Sequence, residues 1–396
     1  MAINTMYCRT DFTLEKSYRK LGVRQYLLVA CEARYEAKRA TRIERRFTHF
    51  WPYVNREGKN VSGPEKWKFS SILDIFVFEH IDQLLMSASV WEIELVRDMV
   101  NAGPNRGVGR LGVTPPCPLL DVLQVKVRKK KNDEMLYYVL ADELRMLIGR
   151  KAADLLEDKG YLEQAERLQF CRGLLTLYGI LPMSKLITIL DGQYPDNLEL
   201  NRSVLVSTEM FMCYDKIPGF RGKAFMVSPF VRQMFEKPKD LMDMMHIGSE
   251  RKIFTKEYVL AAGSHPMPII TTPEGEELKA VLKHKYHVKD AVIDKLLYDY
   301  WLEKQDKEKS GWEYNLFSEL YLAIRFEEMI HMMDMVNAYV ESVPCWIFAG
   351  NSVADTAKTD DSIRYRIRAF GCSVPNGTFC YICGSFNAWR YAESWR

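Results

Sequence analysis

Apolar residues recur at three- and four-residue spacing through segments 24–46, 70–87, 90–102, 142–157, 161–178, 183–190, 228–236, 274–284, 289–305 and 313–341. That period gathers them on one face of an α-helix. Strand-like stretches are short: Val122–Arg128, Met135–Leu140, Leu205–Tyr214, Ala224–Val227 and the end of the chain. The pattern predicts a mainly α protein with small β-hairpins and a helical C-terminal half.

Two stretches share an order of elements. Leu136–Leu140 followed by Ala141-Asp142-Glu143-Leu144 matches Ala224–Val227 followed by Ser228-Pro229-Phe230-Val231, each an apolar strand running into a helix start. Ser228 before Pro229 reads as a cap with proline at the first helical position. Upstream, Leu95–Val100 with Gly103 corresponds to Phe170–Leu175 with Gly179, and each copy then has a short helix, Pro118–Leu123 or Met183–Leu190. The two glycines are expected to act as left-handed caps that turn the chain into that second helix. Helix, turn, short helix, strand, loop, strand, helix is the order of a winged helix, in which the hairpin closes a core that two short helices cannot bury alone. The expected organisation is a basic helical region at 1–87, tandem winged-helix-like modules at 88–160 and 161–245, a helical domain at 246–341 and a Cys-containing tail at 342–396.

Leu174–Leu181, Tyr138–Leu144, Phe254-Thr255-Lys256-Glu257 and Thr272-Pro273-Glu274 together resemble bacterial and mobile-element proteins whose chains often end in a SEC-C-type zinc tail. The resemblance implies winged-helix-like repeats and no particular activity.

Charge is uneven. The whole chain carries 55 Lys+Arg against 52 Asp+Glu, a net +3, but residues 1–60 hold 13 basic and 6 acidic residues, so they contribute +7 and the remainder −4. An anionic partner would dock where the basic residues concentrate. Arg34, Lys38, Arg42 and Arg45 or Arg46 fall on one helical stripe, with Arg39 beside it and Phe47, Phe50 and Trp51 following. The first wing adds Lys126, Arg128, Lys129, Lys130 and Lys131. Both runs suit phosphate contact rather than base reading. The alternative for the stripe is a solvated helix face partnered by Glu32, Glu36 and Glu44.

Other motifs offer less chemistry. Cys372, Cys380 and Cys383 place three thiols around an Asn376-Gly377 turn, and Cys383-Gly384-Ser385 is similar to the SEC-C tail; zinc is the candidate cofactor, with Cys345 or His331 as fourth ligand only if the fold brings one close, and buried reduced thiols are the alternative. Gly107–Gly112 matches the dinucleotide fingerprint in letters only; it follows a helix and reads as a flexible loop whose Arg106 and Arg110 could approach a phosphate. Glu328 with His331, and His284 with His287, lack the second copy that a di-metal site needs. Asp191 and Asp196 read as loop residues around Gly192 and Pro195, and no nucleophile motif or phosphate loop is present. The Met-rich runs at Met329–Met335 and Met242–Met245 suit core packing or a deformable partner surface. With no apolar run of about 18 residues and no basic-then-apolar leader, a cytoplasmic chain without membrane contact is expected. The expected function is nucleic-acid binding or regulation, and no residue set that would carry catalysis is identified. The alternative is an assembly component of a phage or host-defence system, acting through a protein partner or as a homo-oligomer.

Overall fold

The computed structural model describes residues 4–8, 81–111, 119–120, 123, 125–129, 135–211, 214–215, 225–235, 241–242, 251–268, 270–305, 326–359, 379–380 and 385–386. The chain is mainly helical with small antiparallel sheets. It divides into two units, Met1–Arg172 with Met183–Tyr214, and Gly173–Pro182 with Asp215–Arg396.

In the first unit, α1 (Ile81–Met86) precedes α2 (Val90–Ala102). Ser89 and Glu92 set the start of α2 through a reciprocal capping box: Ser89 Oγ accepts from the Glu92 amide at 3.3 Å and Glu92 Oε2 accepts from the Ser89 amide at 3.1 Å. Such a box satisfies two amides that have no partner inside the helix. Ile93, Val96 and Met99 recur at helical spacing and are buried in the core of this unit. Gly103, at φ +82°, then turns the chain into a strand rather than a second helix.

That strand, β2 (Arg106–Leu111), overturns the loop reading over Gly107–Leu111, while Gly112 lies outside the described residues. With β1 (Thr5–Tyr7), β3 (Lys126–Lys129) and β4 (Met135–Val139) it forms an antiparallel sheet of order β1-β2-β4-β3. Side chains alternate across a sheet, so Val108 and its register partner Tyr138 enter the main core while Gly107, Gly109, Tyr137 and Val139 face the other side. A Cβ on Gly107 would lie 3.0 Å from Cys8 Sγ and 3.2 Å from Val139 Cγ2. Gly107 and Gly109 make room for packing and lie within a strand, not in a turn between a strand and a helix N-terminus that could face a pyrophosphate.

The helix expected over 142–157 is two, α3 (Asp142–Ile148) and α4 (Lys151–Glu157), separated where Gly149 adopts φ +48°. The long α5 (Lys159–Tyr178) follows, and α6 (Met183–Gln193) packs on α7 (Leu198–Phe211). Helix α7 corrects the strand expected over Leu205–Tyr214. Asn201, Val204 and Leu205 are buried at helical spacing, so packing overrides the strand preference of the local Val-rich sequence; among the described residues of that stretch, Tyr214–Asp215 (β6) alone is extended.

The second unit repeats the glycine device. Gly179, at φ +71°, leads into β5 (Ile180–Pro182), which pairs antiparallel with β7 (Phe225–Val227) in a sheet of order β5-β7-β6. Met135–Val139 and Phe225–Val227 therefore lie in different sheets. The Ser228 hydroxyl does not cap a helix directly: it accepts from the Phe230 amide in a turn, and α8 (Val231–Met234) starts after it. An aromatic core follows, with Trp301 and Trp346 edge to face at 5.8 Å, Phe230 against Trp301 at 5.7 Å, and Trp346 Nε1 donating to the Thr176 carbonyl at 2.7 Å.

Around it stand α9 (Lys256–Gly263), α10 (Pro273–His284), α11 (Asp290–Lys304), α12 (Phe326–Ser342) and α13 (Val353–Thr359), with α10 packed on α11 and α12. Met332 and Met335 are core residues, as is Met242. The chain's last described elements are β8 (Phe379–Cys380) and β9 (Ser385–Phe386), paired antiparallel. Among the described residues no helix is long and apolar enough to cross a membrane.

Candidate nucleic-acid interface

Strand β3 has the sequence Lys-Val-Arg-Lys and occupies an outer position in the first sheet. Its register sets Lys126 opposite Val139, Val127 opposite Tyr138, Arg128 opposite Tyr137 and Lys129 opposite Leu136. Lys126 and Arg128 thus share the face of Tyr137, and Val127 and Lys129 share the face of Tyr138. Arg128 and Lys129 are exposed, and no carboxylate among the described residues pairs with either. Lys126 is half-buried. The buried Cys8 thiol senses this edge: burial pushes its pKa up, while the Gly107 backbone and the Arg128 charge pull the other way. Of the sequence-based candidates, Lys130 and Lys131 lie outside the described residues, as do Arg34, Lys38, Arg39, Arg42, Arg45 and Arg46.

The arginines of β2 have protein partners. Asp98, buried on α2, binds both Arg97 and Arg110, and Arg106 Nη1 donates to Thr5 Oγ1 at 3.2 Å. Arg110 is therefore a tie between helix and strand, not a loop cation facing a phosphate.

The α6–α7 corner holds a polar cluster that spacing alone did not reveal. Arg167 is only 2% exposed; its Nε donates to Asn201 Oδ1 at 3.0 Å, Nη2 to Asp196 Oδ2 at 2.9 Å, and Nη1 lies 2.8 Å from Glu163 Oε1. Its guanidinium also sits 4.7 Å from the centroid of the Tyr194 ring, whose hydroxyl donates to Glu166. Burial, first, and the Glu166 carboxylate both push the Tyr194 hydroxyl far above its ordinary pKa. Asp191 lies within α6 rather than in a loop, and it takes both Nη groups of Arg202, at 2.8 and 2.6 Å. Those bonds hold its carboxyl below the usual range against the opposing effect of burial. The signal in the sequence was the acidic run Asp191, Asp196 and Glu199 beside Arg202, readable only once α7 is known to be helical.

A second buried carboxylate orders the approach to β3. Glu92 Oε1 accepts from the Leu119 amide at 3.3 Å and Oε2 lies 3.4 Å from Arg172 Nη1. It ties the start of α2 to the segment that precedes β3.

The remaining motifs are not brought together as sites. His331 is exposed on α12, and Glu328 pairs instead with Lys285 at 3.2 Å. His284 and His287 are exposed. Cys8, Cys171 and Cys345 are buried free thiols. Cys380 stands in β8 opposite Ser385, while Cys372 and Cys383 lie outside the described residues. Among the described residues no three His, Cys, Asp or Glu side chains form a group that could hold a metal ion. Compared with known proteins, the chain matches no family model, no curated protein and no solved structure.

Proposed function

We propose that this chain binds nucleic acid through backbone phosphates, with β3 and the residues after it as a wing. The observation that carries the reading is an outer strand with cationic side chains at Lys126, Arg128 and Lys129, two of them exposed without a carboxylate partner among the described residues. Cations so placed neutralise phosphates and release counterions. Strand order supports a winged arrangement. The first sheet runs β2-β4-β3 beyond β1 and the second runs β5-β7-β6, so in each the last strand of the set lies between the other two. Along the chain the second set also has two consecutive helices, α6 and α7, between its first and second strands, the order of elements in a winged helix, although α6 and α7 belong to the first unit and β5 and β7 to the second.

The test is fluorescence anisotropy of the full chain on a labelled DNA duplex across a salt series, wild type beside the combined Lys129→Ala, Lys130→Ala, Lys131→Ala variant. Removing each phosphate-neutralising cation should reduce the magnitude of the slope of log affinity against log salt by about 0.9. The melting profile should stay the same, because an exposed sheet edge buries little. Unchanged affinity and slope in the variant would remove the wing from the binding surface. A second reading, a protein-assembly component, is favoured by Met146, 78% exposed on α3. A stable oligomer in sedimentation, dissolved by Met146→Lys, would support it.

A further inference from the structure

We infer that the nucleic acid is a duplex gripped by its phosphates without reading of base sequence, an inference that rests on the nucleic-acid reading of β3. Three observations on the first unit converge on it.

The first is the geometry of the strand. Residues on a strand advance by about 3.3 Å, so cations at alternate positions stand about 7 Å apart on one face of the sheet. Lys126 and Arg128, opposite Val139 and Tyr137, form such a pair, and Lys129, opposite Leu136, lies on the other face, that of Tyr138. The edge therefore offers positive charge to both sides, suited to a wide anionic surface.

The second is the state of the nearest aromatic rings. Proteins that hold single strands stack bases on exposed aromatic side chains. Tyr137 and Tyr138, the register partners of Arg128 and Val127, are 6% and 3% exposed. Tyr138 is inserted in the main core, edge-on to Trp91, and Tyr137 packs with Cys8 and Val139. Neither ring face can receive a base.

The third is the chemistry of the α6–α7 corner. Base reading by a helix-turn-helix needs donors on the N-terminal part of its second helix. The exposed positions that open α7 are Leu198 and Glu199, preceded by exposed Asp196 and by exposed Asn197, whose Oδ1 accepts from the Leu200 amide at 3.0 Å as the cap of the helix. The first arginine of the helix, Arg202, has both terminal nitrogens engaged by Asp191, and Arg167 is buried in its own cluster. A phosphate backbone brought to this corner would meet the Glu199 carboxylate beside two ion pairs already closed, Asp191 with Arg202 and Asp196 with Arg167. The one basic residue of α7 is thus already paired, so among the described residues the phosphate grip of β3 is what remains.

The experiment uses the full chain and three labelled probes: two DNA duplexes of equal length and unrelated sequence, and one strand of the first duplex alone. Equal affinity for the two duplexes, weaker binding of the single strand, and an unchanged affinity for Arg202→Ala are expected. A preference between duplexes approaching the factor of about 10³ that marks sequence-specific binders would overturn the inference while leaving the β3 reading intact. Tighter binding of the single strand would do the same. So would a tenfold loss in Arg202→Ala with an unchanged melting profile, because α7 would then touch the ligand. Absence of binding to all three probes would overturn the inference and the proposed function together.

Discussion

The chain makes the same local turn twice and puts it to different use. In the first unit α2 ends at Gly103, the backbone swings through a positive φ, and β2 begins; in the second, Gly179 takes the chain from α5 into β5. Space around a Cβ at Gly103 is open to at least 4 Å, whereas one at Gly179 would lie 2.7 Å from the Trp346 indole. The first junction serves a sheet with an exposed cationic edge, and the second is packed beneath an aromatic core. One backbone conformation thus leads to a surface in one place and an interior in the other, decided by what packs against it.

Glu92→Ala probes the polar side of that contrast and should have the largest effect. It removes the capping box, the acceptor for the Leu119 amide and the partner of Arg172 together. Breaking a buried pair in this way costs about 3–5 kcal/mol. Chemical denaturation should show that loss; a cost under about 1 kcal/mol, typical of exposed ion pairs, would show that the carboxylate is not structural.

The two glycines sharpen the comparison directly. Gly103→Ala should cost about 1–3 kcal/mol from backbone strain alone. Gly179→Ala adds overpacking of about 1–3 kcal/mol to a left-handed strain of about 1–2 kcal/mol. Equal losses in paired melts would mean that Trp346 yields and that the junctions are equivalent.

The smallest expected effect belongs to the acidic corner. The Asp191 carboxyl is held below its ordinary pKa, so the Arg202 pair contributes above the unfolded carboxylate pKa of about 3.9 and its contribution is lost as pH falls below that. Arg202 is half-exposed, which limits the pair to about 1 kcal/mol. Asp191→Asn should therefore lower stability slightly at neutral pH and match wild type in acid. A difference that persists undiminished at low pH would assign the effect to packing.

Much of the helical framework was legible beforehand. The apolar spacing over 90–102 coincides with α2, and 183–190, 274–284 and 289–305 fall on α6, α10 and α11 within a few residues. Met135–Leu140 and Ala224–Val227 fall on β4 and β7. The misreadings have physical causes. Gly107 and Gly109 look like loop formers in isolation, yet in β2 they clear space for Tyr137 and Cys8 contributed by distant segments. Val204-Leu205-Val206 looks like a strand, yet Val204 and Leu205 share a buried face with Asn201, which Arg167 engages from α5. The basic β3 was visible as a run of letters; its outer position and the burial of the aromatics beside it were not.

Sequence alone determined the mainly helical character, the paired glycine turns and the concentration of cations, because local period, conformational freedom and charge are properties of neighbouring residues. Tertiary structure decided which of those features face water. Arg128 and Lys129 are exposed because β3 is an outer strand, and Arg110 and Arg202 are engaged because α2 and α6 deliver Asp98 and Asp191 to them. A carboxylate on a neighbouring element neutralises a cation only after folding has set the two side by side. The anion-binding capacity of a basic residue is for that reason a property of the folded neighbourhood rather than of its position in the sequence.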